Sequence, residues 1–183
     1  MTFSFGEKRN RIANGDYATA GDFCRIFKQE QSALYLLAFL LTANHQHAEQ
    51  CLVAGIEDSG TENVVFREWA RAWTKRTLIK NALQRVFFVN DGANQKRERW
   101  NEIGSEDRDL IDAVAGLPLR ERFVFVMSVL ERYSDRDCSL LLDCKLEDVR
   151  QAREQALQQL PAFLPRAFTR RSANLRSRLA ASG

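Results

Sequence analysis

The chain has 183 residues, enough for one ordinary domain or two small ones. Hydrophobic residues make up 45% and charged residues 28%, and 3 prolines and 9 glycines leave few helix breakers, so length and composition predict a globular, all-α protein. The formal net charge of +3 is too small to establish a polyanionic partner by itself.

Targeting signals, membrane spans and clustered metal ligands are not recognisable in the sequence. The N-terminus is polar, and the longest apolar stretch, residues 33–43, is much shorter than a membrane-spanning helix, so we expect a cytoplasmic protein. The histidines, His45 and His47, lie in a polar stretch that we interpret as a solvated loop. The cysteines form no CxxC pair, so no metal and no cofactor is expected. Cys24 and Cys51 are interpreted as small core residues, and Cys144 falls in a predicted turn.

The first half of the chain contains four predicted helical segments. Hydrophobic residues recur there at intervals of three and four, which is typical of amphipathic helices. A loop is expected at residues 42–46 and a turn at residues 58–63. The predicted helices cover residues 18–29, 31–41, 48–56 and 64–89.

The last of these segments, residues 64–89, is predicted to be a basic amphipathic helix. Its tryptophans, Trp69 and Trp73, are interpreted as core residues or, alternatively, as residues that stack on exposed bases. The cations indicate either a surface that binds a phosphate backbone or an ordinary solvated face. They are Arg67, Arg71, Lys75, Arg76, Lys80 and Arg85.

A polar stretch at residues 90–105 is predicted to link two small helical domains. The first domain is expected to cover residues 16–89 and the second residues 106–164. A basic tail, residues 165–183, follows the second domain and contains five arginines and no acid. The tail is either a third contact with nucleic acid or a solubilising segment.

The second half is predicted to contain a helix-turn-helix. Helices are expected at residues 106–114 and 120–132, and Ser134, with Asp137 three residues later, is a typical start for the next helix. The pair itself consists of helices at residues 135–142 and 146–160 joined by a three-residue turn. Residues expected to face the core are Cys138, Leu141, Leu142, Leu146, Val149, Ala152 and Ala156.

The outward face of the second helix carries arginine and glutamine, the residue types that make bidentate contacts with guanine and adenine. Helix pairs of this kind also occur in bundles that never contact DNA, and that alternative stays open. The candidate DNA-binding residues of this element are Lys145, Glu147, Arg150, Gln151, Arg153 and Glu154.

Residues 117–160 contain three motifs in order: a Leu-Pro-x-x-x-Arg opening at Leu117, Pro118 and Arg122, acids that begin the next helix, and a helix of the Val-Lys-Ser-Arg type at residues 149–153. By these motifs the segment resembles domain 4 of bacterial RNA polymerase sigma factors, most of all the extracytoplasmic-function group. The resemblance implies that the helix at residues 146–160 enters the major groove of an upstream promoter element.

The first half resembles sigma domain 2 more weakly. The similar segments are residues 34–38, residues 48–49 and residues 66–69 with Asn81 and Arg85. The resemblance implies contact of the basic helix with a downstream promoter element. It also implies core RNA polymerase and promoter DNA as partners, with an anti-sigma protein as a further candidate. The implied polymerase-binding residues are Ala48, Glu49 and Leu52.

Several positions depart from the family pattern. Glu49-Gln50 stands where two acids are usual, and Asp143 occupies a turn position where glycine is common. Glu147 and Asp148 suit the start of a helix but repel phosphates, so we expect weak DNA binding without polymerase. No catalytic constellation is present, and we do not expect an enzyme. The alternatives are a sigma-like adaptor that has lost promoter melting and a helical protein-interaction module.

Overall fold

The computed structural model describes residues 17–60, 65–88 and 105–160, and this part of the chain is all-α, as predicted. The one β pairing within these ranges is an isolated bridge between Tyr17 and Phe66. The helices are α1 Ala20–Gln29, α2 Gln31–Thr42, α3 His45–Gly60, α4 Ala70–Phe88, α5 Ser105–Gly116, α6 Leu119–Val124, α7 Asp135–Leu142 and α8 Leu146–Gln159.

The helix starts in the first half follow local capping. Thr19 and Asp22 form a reciprocal capping box at the start of α1. Asn44 accepts a hydrogen bond of 2.8 Å from the backbone N–H of His47, which caps α3. Because of this cap α3 begins at His45, and it runs to Gly60. The predicted loop at residues 42–46 is therefore too long, and the helix predicted to end at residue 56 continues by one turn.

The predicted solvated loop around the histidines is also wrong. His45 is half-buried on the first turn of α3, where its Nδ1 and the Tyr35 hydroxyl share a hydrogen bond of 2.8 Å. The His45 ring also packs against Phe39, with 4.5 Å between the ring centroids. The histidine thus joins α3 to α2 through an aromatic contact, which the polar sequence around it did not indicate.

The predicted helix 64–89 begins later than expected. The backbone N–H of Ala18 donates to the carbonyl of Val65 at 2.7 Å, and Phe66 is extended, with φ −61° and ψ 141°. A 3-10 turn at Arg67–Trp69 then leads into α4. Trp69 is 57% exposed, contrary to a core position, whereas Trp73 is half-buried beside the cluster of Phe23, Val65 and Ala70.

The second half confirms the predicted helices and adds one irregular segment. After α6 the chain continues as a π-helical segment, Phe125–Leu130, before Ser134 caps α7. The hydrophobic spacing of residues 120–132 predicts a core stripe of Phe123, Val124, Val126, Met127 and Leu130. The first four are buried and Leu130 is only partly buried, whereas Phe125, which lies outside that pattern, is buried as well. Residues 90–104 of the predicted linker 90–105, the tail at residues 165–183 and residues 61–63 of the predicted turn lie outside the described residues. The first half of that turn, residues 58–60, is instead the end of α3.

The two halves pack against each other through one continuous hydrophobic cluster. Phe87 of α4 meets Phe123 of α6 edge-on, with 5.7 Å between ring centroids. The buried guanidinium of Arg122 donates from Nε to the carbonyl of Leu41 at 3.1 Å and from Nη1 to that of Ala115 at 3.0 Å. A buried arginine of the second half therefore donates a hydrogen bond to a carbonyl in the last turn of α2, a helix of the first half, where carbonyls have no partner within the helix. The division into two domains stays a prediction.

The cysteines differ in accessibility. Cys24 is exposed, so its predicted place in the core is wrong, whereas Cys51 and Cys138 are buried and Cys144 is half-buried. Burial raises the pKa of both Cys51 and Cys138 to about 11, and it also raises the pKa of Cys144. Because the thiolate is the reactive form, a raised thiol pKa slows alkylation at neutral pH.

We therefore expect Cys24 to be alkylated by iodoacetamide well before Cys51 and Cys138 in the native protein at pH 7.5. Timed labelling followed by peptide mass spectrometry measures the four rates separately. The same reaction in concentrated urea is the control, since unfolding should bring the rates close together. Native labelling of Cys138 as fast as that of Cys24 would contradict the burial of Cys138.

Candidate nucleic-acid interface

The segment predicted as a helix-turn-helix consists of α7, a short turn and α8, and local interactions form both ends of that turn. Ser134 accepts a hydrogen bond from the backbone N–H of Asp137 and thereby starts α7. Asp143 ends α7 in the left-handed conformation, with φ 48° and ψ 54°, which aspartate tolerates better than most residues. Asp148 accepts a hydrogen bond of 3.1 Å from the backbone N–H of Lys145 and caps α8. Asp148, whose charge is unfavourable for binding phosphate, thus has a structural role as the cap of α8.

The helix α8 buries one face and exposes the other. Val149, Ala152 and Ala156 are buried against the rest of the second half, together with Cys138 of α7. Leu146 is 44% exposed, so its predicted core position is wrong, and Leu141 and Leu142 are only partly buried. The candidate residues that lie exposed are Lys145, Glu147, Arg150, Gln151 and Glu154.

Two arginines of α8 contact Asp135, the first residue of α7. Arg153 donates to both carboxylate oxygens of Asp135, and its Nη2–Oδ2 distance is 3.3 Å. Arg150 Nε lies 3.6 Å from the same Oδ2, and Arg150 Nη1 lies 3.5 Å from Glu147 Oε2. The hydrogen bond from Arg153 lowers the pKa of the Asp135 carboxyl. Sequence reasoning missed Asp135 because it lies 18 residues before Arg153.

The cations of the basic segment, residues 67–85, are largely held by other parts of the chain. Each pair joins residues that are far apart in sequence, so the pattern of α4 alone did not indicate it. The contacts are Arg67–Asp22 at 3.4 Å, Arg71–Glu30 at 2.6 Å, Lys75–Glu131 at 2.7 Å and Arg85–Gln50 at 2.8 Å.

Arg76 and Lys80 line a groove of about 350 Å³ on the side of α4 that faces the end of α3. Asn81 donates to Asp58 at 2.9 Å across this groove. The Trp73 indole Nε1 is buried without a hydrogen-bond partner among the described residues. The remaining lining residues are Thr77 and Gln84.

The groove thus combines two cations, an indole ring and two side-chain amides with one carboxylate, that of Asp58, which accepts the hydrogen bond from Asn81. Such a set can bind a phosphate beside a planar base, because cations attract phosphate, indole stacks, and amides form hydrogen bonds with base edges. Of the two tryptophans considered for base stacking, Trp73 lies in this groove and Trp69 lies outside it, edge-on to Phe66 at 5.1 Å.

The candidate polymerase-binding residues of α3 differ in burial. Ala48 is fully buried and packs in the core, Glu49 is exposed and Leu52 is half-buried. Val53 and Ile56 are exposed apolar residues that sequence reasoning did not single out. Their spacing from Glu49, four and seven residues, places all three on one face of the helix.

Within residues 17–60, 65–88 and 105–160, no three His, Cys, Asp or Glu residues come together in a way that could hold a metal ion. None of the helices in the described part of the chain is both long and apolar enough to cross a membrane.

Comparisons with known proteins identify a likeness of fold. No protein-family model matches the chain, and no curated protein matches it. Among solved structures, it is similar to the co-crystal structure of the sigma factor RpoE in complex with the anti-sigma factor NepR from Bartonella quintana, with a TM-score of 0.52. Identity is 18%, and the match covers 79% of this chain and 97% of that chain. The chain therefore has an all-α fold similar to that of a sigma factor.

Proposed function

We propose that the chain is a sigma-type transcription initiation protein that binds core RNA polymerase and promoter DNA. The observation that carries the proposal is the helix-turn-helix, whose second helix exposes a polar face, within a fold similar to that of a sigma factor. The fold likeness alone does not define a function, so the proposal rests on the chemistry of the exposed side chains.

In this proposal α8 lies in the major groove of the upstream promoter element. Gln151 and Arg150 are exposed on its outward face and reach base edges, while Lys145 at its start contacts phosphate. Glu147 and Glu154 on the same face of α8 repel DNA phosphates. The binding of α8 therefore depends on base contacts and on polymerase. No chemical step is catalysed by these residues.

The groove on α4 is the proposed contact with the downstream promoter element. Arg76 and Lys80 bind phosphate there, and Trp73 stacks on a base that has left the duplex. Arg67, Arg71, Lys75 and Arg85, which already contact other side chains, form the border of this surface. They reach DNA only when those contacts open.

The exposed face of α3 around Glu49 and Leu52 is the proposed docking surface for core polymerase. Val53 and Ile56 extend that surface with apolar area, which protein interfaces bury at their centre. An anti-sigma protein is a further proposed partner, because the structurally similar sigma factor RpoE is in complex with the anti-sigma factor NepR.

A second candidate function is a sigma-like adaptor that binds polymerase without melting promoters. The observation that favours it is the engagement of four basic residues at positions 67–85 by other side chains, which leaves fewer cations for single-stranded DNA. A protein-interaction module is the third reading, in which the exposed apolar side chains Leu140 and Leu157 contact a protein.

Reconstitution with core RNA polymerase and a pool of genomic fragments distinguishes the three. Co-elution with polymerase and initiation at specific fragments would support the sigma-type function. Co-elution without initiation would favour the adaptor. Absence of co-elution would contradict both and leave the interaction module.

We expect Lys80→Ala to weaken DNA binding and to reduce the salt dependence of the affinity. Loss of one phosphate contact should lower the slope of log affinity against log salt by about 0.9 on duplex DNA and about 0.7 on a single strand. Arg76→Ala should have a similar effect. Lys28→Ala is the matched control, because Lys28 is an exposed lysine on α1, outside the groove. Equal slopes for Lys80→Ala, Lys28→Ala and the unmodified protein would argue against the groove as a DNA contact.

A further inference from the structure

One carboxylate, that of Asp135, organises the arginines on the outward side of α8. Arg153 binds it with two nitrogens, and Arg150 Nε approaches it at 3.6 Å. The side chains of Asp135 and Arg153 are only 28% and 32% exposed, so water screens this pair less than a fully exposed one. The arrangement joins the first turn of α7 to the middle of α8, across the turn of the helix-turn-helix.

An ion pair of this kind balances the charge of the guanidinium and also restrains its orientation. A carboxylate bound by both ends of the arginine fork restrains the plane of the guanidinium. Arg150 has two acidic neighbours, Asp135 and Glu147, and a side chain that is 59% exposed. Arg150 therefore stays accessible to solvent, while its two acidic neighbours restrict the orientations of its guanidinium. Arg153, with two hydrogen bonds to Asp135, is held more firmly.

We propose that Asp135 is a specificity-determining positioning residue, which holds Arg153 and orients Arg150 so that α8 does not bind phosphates of arbitrary sequence. The inference rests on the proposed function, since it concerns how α8 contacts DNA. To contact a phosphate anywhere on a duplex, an arginine must leave Asp135. The free energy of breaking that ion pair is the same for every DNA sequence. A base contact made by an already oriented Arg150 loses less side-chain entropy, so Asp135 favours base contacts over phosphate contacts.

The bond from Arg153 lowers the pKa of Asp135, so the carboxylate is ionised at neutral pH and the pairing is fully formed there. The groups facing it from the packed elements are Arg150, Arg153 and Cys138. Asparagine at position 135 keeps the size of the side chain and removes the charge. It should therefore release both arginines without opening a cavity.

The test measures the affinity for a short random-sequence duplex as a function of potassium chloride concentration. We expect Asp135→Asn to bind this duplex several-fold more tightly at low salt, with the slope of log affinity against log salt steeper by about 1–2, because up to two cations gain phosphate contacts. Asp135→Glu should restore the behaviour of the unmodified protein, since it restores the charge.

Asp143→Asn is the matched control. It changes the net charge equally and lies in the same helix-turn-helix, it suits the left-handed turn, and no ion pair to an arginine is described for Asp143. Adding Arg153→Ala to Asp135→Asn should remove part of the gain in affinity. A gain in Asp143→Asn as large as in Asp135→Asn would overturn the inference, since the effect would then be one of net charge alone.

A measurement without DNA separates failure of the inference from failure of the proposed function. Urea unfolding of Asp135→Asn, Arg153→Ala and the double variant should give non-additive shifts in the midpoint, because the residues interact. Additive shifts would overturn the inference even if α8 binds DNA. Non-additive shifts, together with DNA affinity unaffected by Arg150→Ala and Arg153→Ala, would instead overturn the proposed DNA contact of α8 and the inference with it.

Discussion

Arg122→Met is expected to lower the free energy of unfolding by about 3 kcal/mol, because it leaves two buried carbonyl acceptors without their charged donor. The guanidinium donates to Leu41 and to Ala115, and Arg122 itself is only 6% exposed. Methionine keeps most of the aliphatic stem, so the loss reports the hydrogen bonds more than a cavity. Urea unfolding followed by far-ultraviolet circular dichroism measures it.

Arg120→Met is the matched control for this prediction. Arg120 lies on the same helix, α6, two residues earlier, and is exposed. Its replacement should change the free energy of unfolding by less than about 0.5 kcal/mol. If Arg122→Met were no more costly than Arg120→Met, the contact between α6 and the end of α2 would not stabilise the protein in solution.

Phe123→Ala is expected to cost about 3–5 kcal/mol, since it removes a fully buried ring from a packed core. Phe123 contacts Phe87 of α4, so the loss should destabilise both halves of the chain together. The prediction for the variant is a single unfolding transition at lower urea concentration, with helix content lost in one step.

Phe87→Ala provides the comparison, because Phe87 is the other ring of this pair and is 43% exposed. We expect it to cost about 1–2 kcal/mol, from the ring contact and a smaller buried area. Two separate transitions in Phe123→Ala, with only part of the helix content lost in the first, would show that the halves unfold independently. The shared cluster would then contribute little to stability.

Within the described residues, the prediction of the helices α7 and α8 and of the turn between them was accurate, because its determinants are local. Ser134 caps α7 three residues from Asp137, and Asp143 takes the left-handed conformation at the end of the same helix. The alternation of buried and exposed positions on α8 follows from the helical repeat, with Leu146 at the end of the helix as the exception. Elements whose interactions span three or four residues can be predicted from sequence.

Two of the errors in the first half originate in contacts between elements, whereas the early start of α3 comes from the local cap at Asn44. The extended residues before α4 pair with the segment at Tyr17, about fifty residues earlier in the chain, and this delays the helix. His45 is half-buried because Tyr35 and Phe39 of α2 lie beside it. Cys24 is exposed because α1 buries Phe23 and Phe27, one on each side of it in sequence, toward the core.

By itself the sequence determined the all-α class, the helices α7 and α8 with their connecting turn, and most of the residues that α8 exposes, Leu146 being the exception, since periodicity and capping act over one or two turns. Only the tertiary structure decided which cations pair with an acid and which line the groove. Lys75 meets Glu131 from 56 residues away and Arg153 meets Asp135, while Arg76 and Lys80 come to line the groove beside Trp73. The reason is physical: the effect of a charge depends on which opposite charge lies within a few ångströms, and helix packing, rather than neighbouring sequence, sets that distance.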